Sequence, residues 1–360
     1  MDLIKCKLGE LITQRREKND GSNLPICGVS KDGLIPPKQV DADTSIYNVF
    51  YRDDFIFNPA RMELNSIAIN DKYDRAICSS LYEVFFVHRT DLLLPHYLKL
   101  IVKQKWFTRY CEFLGQGSAR EYCRFNNISE IEIEFPSIEE QQKIVNYYTA
   151  IQNRIELKKK INDNLEATAR AIYKKMFIED IDFAHLPNDW KITELGNVAE
   201  LSAGGDRPAI YSDYQTKICQ VPIYSNGIDK EGLYGYTDKA KIFDESVTVS
   251  ARGTVGYVFL REKPYVPIVR LISVIPDTEY VTAKYLYFAL ADIDLQSTGT
   301  SQQQITVPDF KKRQITIPTK ASMCLFTERI DPLFKIIKQN KEEIISLTAL
   351  QTNYLALLSC

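Results

Sequence analysis

The chain contains the same ordered set of short motifs twice. Leu8-Gly9 near the start recurs as Leu195-Gly196 in the middle. From Gly117 onward the two copies align without gaps at a constant offset, so that Ile133–Pro136 corresponds to Ile315–Pro318. Internal duplication of this kind constrains the fold more strongly than any single motif, because each copy must form its own similar module. The repeat therefore predicts two tandem halves of about equal length.

Each half is divided again into a mixed domain and a long helix. The first part of each half contains short β-rich runs, separated by Gly, Pro, Asn and Asp turns, and one internal helix, around residues 95–111 and 283–292. The fold class expected is α+β, with two tandem α/β domains and two long helices. The predicted boundaries are 1–136 for the first domain, 137–178 for the first long helix, 179–318 for the second domain and 319–360 for the second long helix.

Each long helix carries a stripe of apolar residues at alternating spacings of three and four. The stripe extends from Ile144 to Met176 and from Ile330 to Leu358, which is longer than a helix packed only on its own domain requires, although that alternative stays open. Polar residues interrupt these stripes at Lys158, Asn162 and Asn340. Such interruptions are typical of coiled coils, where they disfavour wrong registers.

Since each helix follows its own domain, we expect the two helices to pair in an antiparallel coiled coil with pseudo-two-fold symmetry. Such a pair would separate the two domains by a fixed distance. The residues expected in this pairing seam are Ile151, Ile155, Asn162, Leu165 and Ile172 of the first helix, and Leu333, Ile337, Asn340, Ile344 and Leu347 of the second.

Composition narrows the classes of protein that the chain can belong to. The sequence has no apolar run of the roughly 18 residues that span a bilayer, so we expect a cytoplasmic protein. The eight cysteines include no Cys-x-x-Cys pair and there are only three histidines, so we expect reduced thiols and no metal site. A net charge of −2 argues against indiscriminate nucleic-acid binding but allows local basic patches.

The order of the motifs resembles the specificity subunits of type I restriction-modification systems. The motifs that carry the resemblance are Glu139–Ile144 after the Phe135-Pro136 strand end, Gly117–Arg120, Ser250–Gly256, Tyr224–Ile228, and Trp190 with Leu195-Gly196. In the second copy Glu139–Gln142 is replaced by Met323–Phe326. This departure favours a helix-capping role for the first copy, with Ser137 and Glu140 as a capping box.

The resemblance implies a function in DNA recognition without catalysis. In this family two target-recognition domains each read one half of a split, asymmetric DNA site, and the length of the paired helices sets the gap between the half-sites. The implied partners are double-stranded DNA, two modification subunits that bind S-adenosylmethionine and methylate adenine, and a restriction motor-nuclease subunit. The chain itself is expected to hold no cofactor.

Candidate DNA contacts are Arg, Lys and Gln side chains on loops, because their donors can pair with base edges. Arg61 and Arg252 stand out because they match across the repeat; a turn-stabilising hydrogen bond or salt bridge is the alternative for both, and a solvated surface charge is the alternative for the others. The candidates are Arg15, Arg16, Lys31, Lys38, Arg61, Arg120 and Arg124 in the first half, and Arg207, Lys230, Lys239, Lys241, Arg252, Gln302 and Gln303 in the second.

Two other classes of protein remain as alternatives. A self-contained methyltransferase would need an Asn-Pro-Pro-aromatic run, which Asn58–Arg61 does not provide. A nuclease could use only the loose arrangement of Asp277 with Asp309–Lys311, and the glycines of Gly253–Gly256 are typical of a β-turn rather than a phosphate loop. A two-domain coiled-coil scaffold without DNA specificity is the other alternative.

Overall fold

The computed structural model describes residues 3–37, 39–40, 43–115, 122–179, 181–253, 255–292 and 304–357. The chain divides into two compact units, which are residues 1–159 with 341–360 and residues 160–340. Each unit is a mixed domain together with parts of both long helices. The α+β class predicted from the sequence is confirmed. Among the described residues, no helix combines the length and apolar character that a bilayer span requires.

The described residues of the first unit form three sheets and several helices. Its strands are β1 (Ile4–Lys7), β2 (Ile12–Arg15), β3 (Ile26–Ser30), β4 (Gly33–Ile35), β5 (Asn48–Tyr51), β6 (Phe55–Phe57), β7 (Ile67–Ile69), β8 (Arg75–Cys78), β9 (Glu83–Val87) and β10 (Glu132–Phe135). Its helices are α1 (Pro95–Val102), α2 (Lys105–Gly115), α3 (Phe125–Ser129), the first part of α4 (Ile138–Lys174) and the last part of α7 (Lys320–Leu357). The sheet orders are β1-β10, β2-β9-β6-β7 and β4-β3-β8-β5.

The second unit repeats this plan. Its strands are β11 (Lys191–Glu194), β12 (Ala199–Ala203), β13 (Val221–Tyr224), β14 (Leu233–Thr237), β15 (Ser246–Val249), β16 (Val258–Arg261), β17 (Val266–Pro267), β18 (Ile272–Pro276) and β19 (Gln314–Ile317). Its helices are α5 (Ala283–Ala291), α6 (Val307–Lys311), the end of α4 with a π-helical turn (Lys175–Glu179), and the first part of α7 (Lys320–Leu357). The sheet orders are β11-β19, β12-β18-β15-β16 and β14-β13-β17.

The repeated Leu-Gly pair makes the same backbone contacts in both domains. The backbone N–H of Leu8 donates to the Ile131 carbonyl at 2.9 Å, and that of Leu195 donates to Arg313 at 2.8 Å. Both leucines are fully buried. A Cβ on Gly9 would lie 3.0 Å from the Ser129 side chain, and a Cβ on Gly196 would lie 3.1 Å from the Lys311 side chain. Close backbone approach therefore explains why the pair occurs twice.

The internal helix of the first domain differs from the sequence-based expectation. A single helix was expected at 95–111, but α1 and α2 are separate, and the break falls at Lys103-Gln104. Gln104 is buried and accepts a hydrogen bond from the indole of Trp106. This local side-chain contact accompanies the turn of the backbone out of α1. In the second domain the expected single helix is present as α5.

The two long helices pair antiparallel within each unit. In the first unit the rings of Tyr147 and Tyr354 are 4.7 Å apart, and Lys158 forms a 2.7 Å ion pair with Glu343. Higher residue numbers in α4 thus meet lower numbers in α7. The hydrogen bond from Lys158 lowers the pKa of the Glu343 carboxyl below its ordinary value.

In the second unit the Asn340 amide donates to Asn162 Oδ1 at 2.8 Å. Two of the polar interruptions that the sequence singled out therefore contact each other. All ten residues of the predicted seam are buried or half-buried. Ile151, Ile155, Ile337 and Asn340 are the most buried of them, at 5–7% exposure.

Candidate nucleic-acid interface

A cleft of about 1100 Å³ opens in the first domain. Its lining includes the β3–β4 hairpin, the 3-10 turn of residues 59–64 and the loop between β8 and β9. Three of the candidate DNA-contacting residues, Lys31, Arg61 and Arg124, line it, and all three are exposed. We call this feature the basic cleft. The cleft brings together cationic side chains from distant parts of the sequence.

Local hydrogen bonds position the cationic groups of the basic cleft. The Asn58 side chain accepts the backbone N–H of Ala60 at 3.1 Å and so starts the turn that carries Arg61. Arg124 is held by a 3.2 Å ion pair with Glu83. The Arg124 guanidinium also lies 5.4 Å from the centre of the Tyr122 ring. Glu63 and Glu83 also line the cleft and partly neutralise it. Within the described residues the Arg61 side chain has no hydrogen-bond or ion-pair partner.

Arg15, another candidate DNA contact, is engaged in contacts within its own domain. Its guanidinium donates to both carboxylate oxygens of Asp54, at 2.6 and 3.1 Å, and lies between the rings of Tyr51 and Phe86. Burial raises the pKa of Asp54 above its ordinary value although Arg15 opposes that shift. This paired and stacked geometry stabilises the domain, and it leaves Arg15 less available to DNA than its exposed neighbour Arg16.

The second domain carries its basic side chains on loops between strands. Arg207 is exposed and lies 4.6 Å over the Tyr211 ring. Arg252 is exposed and donates to Gln304 at 3.2 Å. Lys230, Lys239 and Lys241 are exposed on separate segments. Lys38, Arg120, Gln302 and Gln303 lie outside the described residues.

A buried arginine fixes one of these loops. Arg261 is 3% exposed, donates to Thr248 at 2.9 Å and to the Glu231 carbonyl at 2.6 Å, and lies 3.6 Å from the Tyr224 ring centre. Burial lowers the pKa of Arg261 below its ordinary value. Its backbone contact holds Glu231, which has a φ of +57°. The residue did not stand out in the sequence, because nothing distinguishes a buried arginine at a strand end from an exposed one.

When the two domains are aligned by their strand registers, Arg61 and Arg252 differ by one position. Phe57 pairs with Glu83, and Val249 pairs with Ile272 at the equivalent point of the second sheet. Arg61 follows its strand by four residues and Arg252 by three. The two arginines therefore lie in the same connection between strands but at positions that differ by one. The motif alignment, which matched them directly, is wrong by one residue.

Gln141 of the Glu139–Gln142 motif forms a set of buried hydrogen bonds, here called the Gln141 clamp, that the sequence analysis did not predict. Gln141 is fully buried; its amide donates to the carbonyls of Leu92 and Pro136 at 2.8 and 2.9 Å, and its carbonyl accepts the N–H of Leu94 at 2.9 Å. The start of α4 is thereby joined to the segment before α1. The motif alignment placed Met323–Phe326 opposite Glu139–Gln142, and the structure corrects it by two residues. The backbone N–H of Gln141 donates to the Ser137 carbonyl, and that of Met323 donates to the Thr319 carbonyl at the equivalent point of α7. Met323 therefore takes the position of Gln141, and it is also buried.

Comparisons with known proteins agree with this architecture. The family model described as "Type I restriction modification DNA specificity domain" matches residues 2–167 and again 187–348. Two Mycoplasma pneumoniae proteins that carry the name type I specificity subunit are 29% identical over 231 residues and 30% identical over 245 residues. These alignments cover 62% and 65% of this chain, and 61% and 72% of the relatives' own lengths.

A solved structure supports the fold over the whole chain. The S subunit of a type I restriction-modification system from M. genitalium superposes with a TM-score of 0.63, at 17% identity, over 99% of this chain and 96% of that one. The resemblance to type I specificity subunits drawn from the sequence motifs is confirmed by the family model and by the named relatives. The chain belongs to the type I restriction-modification DNA specificity family, with one copy of the specificity domain in each half.

Proposed function

We propose that the chain reads a bipartite, asymmetric DNA site, with one half-site bound by each domain. The observation that carries this proposal is the duplicated specificity domain in which both copies present exposed arginines on loops. Arginine pairs bidentately with guanine in the major groove and also binds phosphates. The two copies carry different loop side chains, which favours two different half-sequences.

The basic cleft is the proposed reading surface of the first domain. Lys31 and Arg61 approach it from different loops, and a concave surface excludes water better than a flat one. With a net charge of −2 for the chain, DNA affinity depends on such local groups rather than on overall charge.

The proposed partners supply the chemistry. Two modification subunits bind S-adenosylmethionine and flip and methylate one adenine in each half-site, and a motor-nuclease subunit joins them for restriction. This chain holds no cofactor in that assembly and determines where the methyl groups are placed. The purified chain alone should then transfer no methyl group.

The experiment that tests this proposal compares cleft variants in the assembled methyltransferase. Lys31→Ala and Arg61→Ala should each reduce methylation at sites that carry the first half-site motif. A side chain that reads a base should contribute about 1–3 kcal/mol to the free energy of binding that motif. The matched control is Arg52→Ala, which removes an exposed arginine that is paired with Asp74 and lies outside the cleft lining. Co-purification with the modification subunit should be unchanged for all three. DNA methylation with no sequence preference in the wild-type assembly would instead support a scaffold function.

The helix pair is proposed to set the distance between half-sites. Deletion of Asn153–Lys159 removes one heptad, keeps the apolar seam in phase and shortens α4 by about 10 Å. The two half-sequences should persist while the gap changes by a whole number of base pairs, or activity should be lost. Unchanged spacing with full activity would contradict this role, and a four-residue deletion, which rotates the seam, should damage folding instead.

A further inference from the structure

A four-residue turn occupies the same place in both domains. It joins β8 to β9 in the first domain and β17 to β18 in the second. The N–H of Tyr82 donates to the Ser79 carbonyl at 3.0 Å, and the N–H of Leu271 donates to the Ile268 carbonyl, also at 3.0 Å. The strand before the turn runs parallel to β3 or β13, and the strand after it pairs with β2 or β12. We call residues 79–82 and 268–271 the tip turns.

The strand registers show which residues are equivalent in the two tip turns. Ile12 pairs with Val87, and Ala199 pairs with Pro276; Ile12 and Ala199 stand at the same distance from the repeated Leu-Gly pair. Leu81 precedes Val87 by the same number of residues as Arg270 precedes Pro276, so Leu81 and Arg270 occupy equivalent positions. Leu81 is 79% exposed and Arg270 is also exposed.

The second tip turn is held in a strained conformation. Val269 and Arg270 both have positive φ, at +52° and +61°. Turns of this kind normally take Asn-Gly, and a β-branched residue such as valine is disfavoured there. Strain of this kind persists only where the surroundings enforce it, and it concentrates at functional sites.

The surroundings of the second tip turn do enforce it. The N–H groups of Val269 and Arg270 donate to the carbonyls of Gly205 and Gly204, each at 2.9 Å, and the Asn226 amide donates to the Val269 carbonyl at 2.6 Å. A Cβ on Gly204 would lie 2.7 Å from the backbone of Ile268, so only glycine permits this approach. The backbone under Arg270 is therefore rigid, while within the described residues its guanidinium has no hydrogen-bond or ion-pair partner.

Both tip turns lie beside the basic groups already described. In the second domain the Asn226 carbonyl oxygen accepts the N–H of Ala251 at 2.8 Å, next to Arg252, and the Gly204-Gly205 backbone leads into Arg207. In the first domain residues 79–83 line the basic cleft. The same position of the fold thus faces the proposed DNA surface in both copies.

We propose that the tip turn is a specificity-determining position of each domain, and that Arg270 reads a guanine of the second half-site. This inference rests on the proposed function. The guanidinium can donate two hydrogen bonds to guanine O6 and N7, and the rigid backbone reduces the conformational freedom lost on binding. Leu81 has no donor at the equivalent position and offers only apolar contact, such as with a thymine methyl group.

The test uses the full chain assembled with its modification subunits and genome-wide mapping of methylated adenines. Arg270→Ala should reduce the preference for one guanine in the second half-site by about 5- to 150-fold, with the first half-site and the spacing unchanged. Arg270→Gln should shift that preference toward adenine, because a glutamine amide pairs with adenine N6 and N7. The control is Lys191→Ala, which removes an exposed charge on β11 and should leave the motif unchanged.

Three results separate failure of this inference from failure of the proposed function. An unaltered second half-site in Arg270→Ala would overturn the guanine contact. So would a uniform loss of methylation at all sites with the motif retained, because that is the behaviour of a phosphate contact. Absence of any bipartite motif in the wild-type assembly would overturn the proposed function itself. Val269→Asn, which accepts a positive φ and leaves Arg270 in place, should keep the preference for this guanine and serves as the control for strain in the turn.

Discussion

The two domains share one topology but attach to the long helices by different chemistry. In the second unit an aromatic cluster joins helix to domain: Phe326 of α7 is fully buried and lies 5.2 Å from Phe177, ring centre to ring centre, and 6.2 Å from Phe288. In the first unit the equivalent part of α4 carries Ile144, which is only half-buried, and the Gln141 clamp. A duplicated fold can therefore be held by non-directional apolar burial in one copy and by directional hydrogen bonds in the other.

Removal of the aromatic contact should have the largest effect on stability. Phe326→Ala should lower the free energy of unfolding of the second unit by about 3–5 kcal/mol, because the cavity it leaves adds to the lost burial. Trp190 lies 5.9 Å from Phe177, so its fluorescence in a Trp106→Phe background reports this unit. Phe243→Ala, at a phenylalanine that is 70% exposed, is the control. A loss similar to that of the control would mean that the cluster does not anchor the helix.

The polar clamp should contribute less and should act on the first unit. Gln141→Met installs the residue found in the second copy and leaves one N–H and two carbonyls without their partner, at a cost of about 1–3 kcal/mol. Urea unfolding followed by Trp106 in a Trp190→Phe background measures it. Gln142→Met, at an exposed neighbour, should change little. If Gln141→Met were neutral or stabilising, apolar burial alone would suffice at this position.

The asparagine pair should give the smallest of these energies. A double-mutant cycle with Asn162→Ala and Asn340→Ala should yield a coupling of about 0.5–1.5 kcal/mol, the usual value for one hydrogen bond. The exposed pair Gln142–Asn146, joined by a 2.8 Å hydrogen bond, provides a reference cycle with weaker coupling. Additive effects of the two alanine substitutions would show that the asparagines do not depend on each other.

Periodicity predicted the helix pair more completely than it predicted the reading surface. The alternating stripe identified ten seam residues, and their burial agrees with it because a seam is a local property of one helix repeated many times. Asn162 and Asn340 were identified as polar interruptions, but their hydrogen bond to each other depends on the register between two helices far apart in the chain.

The reading surface depends on contacts that the sequence does not encode locally. Val269-Arg270 carries no turn signal, because its positive φ values are imposed by hydrogen bonds from distant residues. Gln141 belongs to a motif that we interpreted from the sequence as a helix cap. Its hydrogen-bond partners include Leu92 and Leu94, which lie much earlier in the chain. The candidate DNA contacts stay predictions, and burial now distinguishes the ion-paired Arg15 from the exposed Arg61.

Replacement of one domain tests whether each domain reads its own half-site. Residues 1–135 are exchanged for the equivalent segment of a relative that recognises another site, and methylated adenines are mapped across the genome in cells that also express the modification subunits. We expect a new first half-site, with the second half-site and the spacing unchanged. A change in both half-sites, or in neither, would contradict this expectation.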